Sequence, residues 1–91
     1  MAKYKDYSIM SEHQRKDIAI RSRRILEQSK LSKDKSEFVR LALIQNPNLA
    51  REILYKLSAH DPSKFIRRQA ELKLLRSIGI SPITTINILR I

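Results

Sequence analysis

His13 and His60 are the first residues to test for chemistry in this 91-residue sequence, and neither has a companion. No H-x-x-x-H spacing joins them and no cysteine is present, so neither a zinc centre nor a thiolate nucleophile is expected. His60, beside Asp61, reads as a helix-ending residue whose partial positive charge meets a C-terminal dipole. The nine carboxylates almost all fall within a helical turn of a Lys or Arg, as Asp17 does with Arg21 and Glu27 with Arg23. They read as solvated ion pairs rather than as general acids or bases. No G-x-S-x-G elbow surrounds a serine, and a single glycine cannot build a phosphate-cradling loop. The expectation is a chain that is not an enzyme and carries neither cofactor nor metal.

The basic residues carry the chemical content. Nineteen Lys and Arg stand against nine Asp and Glu, a net charge of +10. The excess is +5 in residues 1–35, +1 in 36–60 and +4 in 61–91, so two basic ends flank a near-neutral middle. Arginine suits phosphate because its planar fork donates two parallel hydrogen bonds. The expected contacts to a nucleic-acid backbone are Lys16, Arg21, Arg23, Arg24, Lys64, Arg67 and Arg68, giving salt-dependent and largely sequence-independent binding. The same charge also fits an acidic protein partner, and the alternatives remain open.

These side chains need elements to hold them. Each proline follows a good capping residue, in Asn46-Pro47, Asp61-Pro62 and Ser81-Pro82, and Pro at a first helical position loses no useful donor. Ser11 and the Asp34 to Ser36 stretch offer two more helix starts. Helices are therefore expected at about 11–29, 36–45, 47–59, 62–77 and 82–90, with residues 1–10 a basic, flexible arm and 11–91 one α-helical domain. In the first helix, Lys16, Arg23 and Lys30 would share one side while Arg21 and Arg24 lie on another. In the fourth, Phe65, Ile66, Ala70, Leu72, Leu74 and Leu75 leave one polar strip of Lys64, Arg67, Arg68 and Glu71, which predicts the central helix. Gly79 stands where a left-handed residue would end it.

An internal repeat refines the fold. Asp34-Lys-Ser36-Glu-Phe38-Val39-Arg40 and Asp61-Pro-Ser63-Lys-Phe65-Ile66-Arg67 share D-x-S-x-F-[VI]-R at a separation of 27 residues. A weaker echo relates Asn46-Pro47 with Ile53-Leu54 to Ser81-Pro82 with Ile88-Leu89, 35 residues on. The reading is all-α: two stacked hairpins, about 36–59 and 62–90, with an N-terminal helix over one end and both phenylalanines in the core. Arg40 and Arg67 recur just inside a helix start, where a structural bond to a helix end competes with ligand contact. The run from Phe38 to Arg67 resembles the leucine-rich repeat variant motif and, more loosely, the HEAT class of helical repeats. Val39-Arg40, Asn46-Pro47, Leu54, Leu57, Asp61-Pro62 and Ile66-Arg67 match it in order. That resemblance implies a stacked helical surface for binding and no chemistry.

Two further signals concern setting and alternatives. No apolar run approaches the ~20 residues of a membrane span, and the basic N-terminus lacks the apolar stretch of a secretion signal, so a soluble, cytoplasmic chain is expected. The stretch from about 70 to 91, with Gly79 in a turn and Thr84, Thr85, Asn87 and Arg90 beyond it, also reads as a helix-turn-helix for a major groove.

Overall fold

The first expected helix, 11–29, is two helices, and a side chain from elsewhere in the sequence makes the break. Helix α1 spans Glu12–Arg21 and helix α2 spans Ile25–Leu31, with Ser22 and Arg24 in extended backbone between them. The fully buried Asn46 amide donates to the carbonyls of Ala19 at 2.9 Å and Ser22 at 2.7 Å. A continuing helix would have used both carbonyls for its own N–H groups. The buried Gln28 amide adds a bond to the Ser22 carbonyl at 2.8 Å and another to that of Asn48 at 2.9 Å.

The computed structural model describes residues 6–79. The chain divides into two compact units, Met1–Leu49 and Ala50–Ile91, where the sequence leads to one domain over 11–91. The first unit holds α1, α2 and α3 (Glu37–Ile44), and the second holds α4 (Arg51–His60) and α5 (Lys64–Ser77). Among the described residues there is no strand, so the fold is all-α. The expected helix 82–90 and most of the helix-turn-helix reading of 70–91 lie outside the described residues.

In the first unit α3 packs chiefly on α1, and in the second α4 packs on α5. The expected hairpin over 36–59 is divided between the two units, and the second helix of the one expected over 62–90 lies outside the described residues. The first unit buries Ala19, Leu31, Val39, Ala42, Leu43 and Ile44. Full burial of a residue such as Leu43 contributes roughly 2–3 kcal/mol. The second buries Ile53, Leu54, Leu57, Ile66 and Ala70. Helix α5 is therefore less enclosed than its composition implies: Leu72, Leu74 and Leu75 are only half-buried. Ile25 and Leu26, at the start of α2, are exposed.

Pro47 and Pro62 lead into helices without starting them. Asn46 spends its amide on distant carbonyls and its Oδ1 on the Asn48 N–H at 2.8 Å, so Pro47 lies in a turn and α4 begins at Arg51 with no side-chain cap. Likewise Asp61 Oδ1 accepts from the Ser63 N–H at 2.8 Å, and Ser63, not Asp61, caps α5. Residues 6–10, expected within a flexible arm, form a 3-10 turn at Tyr7–Ile9 capped by Asp6, whose carboxyl is held below its ordinary range by the Ser8 hydroxyl and N–H. The Tyr7 hydroxyl fastens that turn to α2 by donating to Glu27 at 2.8 Å. Gly79, at φ 83°, takes the left-handed conformation expected after α5.

Candidate nucleic-acid interface

The repeated motif is a way of fastening a helix start. Ser36 Oγ accepts from the N–H groups of Phe38 and Val39, and Ser63 Oγ from that of Ile66. The arginine four residues after each serine reaches back: Arg40 Nη1 donates to the Asp34 carbonyl at 2.7 Å and Arg67 Nη1 to the Asp61 carbonyl at 2.6 Å. A third copy opens α1. Ser11 caps through Gln14 in a reciprocal capping box, and Arg15 Nη1 donates to the Met10 carbonyl at 2.7 Å. The spacing Ser-x-x-x-Arg at 11–15, 36–40 and 63–67 was the available signal, hidden because the first copy lacks the Asp and the Phe.

Arg15 does more. Its Nε donates to Asp34 at 2.8 Å with both side chains almost wholly buried, 8% and 7% exposed. This pair joins the start of α1 to the turn before α3, and sequence reasoning missed it. Glu12 strengthens the junction by accepting from the Ser36 hydroxyl at 2.6 Å.

The basic residues expected to contact phosphate divide into three kinds of environment. Arg21, Arg23 and Arg24 are exposed at the corner between α1 and α2. Arg21 pairs with Asp17 at 3.2 Å on the open surface, a contact worth only ~0–1 kcal/mol. Arg23 and Arg24 have no side-chain hydrogen bond or ion pair among the described residues: Glu27, the expected partner of Arg23, accepts instead from Tyr7. Their backbone is held by Ser22, whose buried hydroxyl bonds both the N–H and the carbonyl of Arg24. The helix break also removes the expected alignment of Lys16, Arg23 and Lys30, since Arg23 belongs to no helix.

Lys16 lies elsewhere on α1, about 140° around from Arg21. It is half-buried, its ammonium 6.0 Å from the centroid of the Phe38 ring. In the second unit Lys64 is exposed at the start of α5 and Arg68 is exposed with Glu71 at 3.4 Å. Arg67 is half-buried and committed to the Asp61 carbonyl, so it serves the fold as Arg40 does. Burial lowers the Lys73 ammonium from its ordinary range.

The phenylalanines reverse expectation. Phe38 and Phe65 are 60% and 50% exposed, while the next residues, Val39 and Ile66, are fully buried. In α3 and α5 the third helical residue turns inward and the second outward. His13, at the corresponding place in α1, is exposed as well. Among the described residues no three His, Asp or Glu side chains gather to hold a metal, and no helix is long and apolar enough to cross a membrane. Compared with known proteins, the chain matches no family model, no curated protein and no solved structure.

Proposed function

We propose that this chain is a non-enzymatic, cytoplasmic helical module that binds nucleic acid mainly through its phosphate backbone. The observation that carries the reading is the corner between α1 and α2. There Arg23 and Arg24 stand exposed on a backbone fastened by Ser22, with Arg21 beside them and no carboxylate engaging either among the described residues. A backbone already fixed need not be ordered on binding, while the unengaged guanidinium forks remain available to donate paired hydrogen bonds to phosphate. Lys64 and Arg68 add exposed charge in the second unit, whereas Arg67 is assigned to structure. The three Ser-x-x-x-Arg helix starts favour a helical-repeat scaffold of the leucine-rich repeat variant or HEAT kind.

A mobility shift at low salt with nuclease-treated protein tests this. Binding is expected to weaken by orders of magnitude between about 50 and 200 mM salt. Replacing Arg23 and Arg24 by Ala is expected to reduce the slope of log affinity against log salt by roughly 1.5–2. No shift at low salt would refute the reading. A second reading, an acidic protein partner, is favoured by Ile25 and Leu26 exposed beside the same arginines. A stoichiometric protein retained from nuclease-treated lysate, with no nucleic-acid shift, would select it.

A further inference from the structure

Phe38 and Phe65 hold the same register, second in the helix after the capping serine, and both rings face solvent. Packing does not account for phenylalanine at this register, because Val39 and Ile66 make the burial that anchors each helix start. In the first unit the ring has a cation beside it: the Lys16 ammonium at 6.0 Å, the outer reach of a cation–π contact. The Ser36–Glu12 and Arg15–Asp34 bonds hold the start of α3 against α1, so ring and ammonium stand on a fixed backbone. In the second unit, exposed Lys64 precedes Phe65 and exposed Arg68 follows it within a turn. An exposed ring with cations close by is the composition of a stacking platform, where the ring takes the face of a base and the cations take the flanking phosphates.

We propose that each unit carries, by itself, a base-stacking platform for single-stranded nucleic acid: Phe38 with Lys16 in Met1–Leu49, and Phe65 with Lys64 and Arg68 in Ala50–Ile91. The proposal rests on the nucleic-acid reading above and deepens it by naming the state of the strand. A duplex buries the faces of its bases and offers these rings nothing. An acidic protein would neutralise the cations and leave the open ring faces unused. A single strand satisfies both, and because every base has a π-face the platforms favour strand state over sequence.

Anisotropy titrations of the full chain with a labelled short oligothymidine, and with a duplex of equal length, test the platforms in wild type, Phe38→Leu and Phe65→Leu. Leucine keeps apolar bulk and helix propensity but removes the aromatic face, and circular dichroism with thermal melting verifies that both variants fold as wild type does. Each variant is expected to weaken single-strand binding by about 5-fold or more, leaving duplex affinity and the salt slope unchanged. Unaltered single-strand affinity in both variants overturns the platforms while the phosphate reading stands. Equal losses on single strand and duplex also overturn them. Absence of any binding at low salt removes the phosphate reading and the platforms together. A dimer seen by sedimentation in wild type and abolished by Phe38→Leu would assign that ring to a second copy of this chain, and so overturn its role as a platform.

Discussion

Asn46 is the residue on which the local geometry of the first unit turns. Its one amide ends α1, stabilises the turn into α2 and closes the turn at Pro47. Asn46→Ala takes its side-chain donor from the buried Ala19 carbonyl, leaves the Ser22 carbonyl to Gln28 alone, and is expected to cost about 1–3 kcal/mol in urea unfolding. The Arg15–Asp34 pair is similarly enclosed, so Asp34→Asn strands a buried guanidinium at a cost of roughly 3 kcal/mol or more. A double-mutant cycle with Arg15→Met is expected to show strong coupling, because most of the single-variant loss is the uncompensated charge. Tyr7 provides a spectroscopic handle. Burial and its hydrogen bond to Glu27 push the phenol up to about 12, above its ordinary value of 10.0. The folded state keeps that proton after the unfolded chain has released it. The stability Tyr7 confers is therefore complete below about pH 10 and lost as pH rises toward 12. Tyrosinate absorbance should show a late-titrating component that Tyr7→Phe removes.

At the scale of the helix, three starts share a serine cap and a returning arginine. Removing a cap oxygen, by Ser36→Ala or Ser63→Ala, is expected to lower stability by about 1 kcal/mol each. The arginine differs from a surface cation in a testable way. Arg67→Ala removes a bond to the Asp61 carbonyl and should lower the melting temperature, with a smaller effect on nucleic-acid affinity than Arg23→Ala, which should leave melting unchanged. If Arg67→Ala melts like wild type and loses affinity instead, the structural assignment of that guanidinium fails. The same logic explains why the motif tolerates His13, Phe38 or Phe65 at its second helical position: that position faces away from the packing, and its identity is free to serve something else.

For the molecule as a whole, a net charge of +10 acts on stability and on binding with opposite signs. Self-repulsion destabilises the folded chain and is screened by salt, whose Debye length falls to about 8 Å at physiological strength. Adding salt should therefore raise the melting temperature over the range in which the proposed nucleic-acid binding weakens. Parallel losses of stability and binding with salt would contradict this. Part of the formal charge is engaged within the fold: Arg15 and Arg40 are buried in structural bonds, and Arg67 is half-buried in another.

The all-α class, the start of α3, the end of α5 at Gly79 and the recurrence of D-x-S-x-F-[VI]-R were legible in the sequence, because caps, glycine and hydrophobic spacing act over a few residues. The exposed arginines at 21, 23 and 24 were legible as charge but not as a corner. What interrupts 11–29 is an amide 24 residues beyond Ser22, and local propensity carries no trace of so distant a donor. The phenylalanines were misread for a related reason: hydrophobicity says that a side chain can be buried, while the rotation of each helix about its own start decides whether it is. Only tertiary structure separated arginines that hold the fold from arginines left exposed, since burial and a carbonyl within reach, rather than residue type, make that difference.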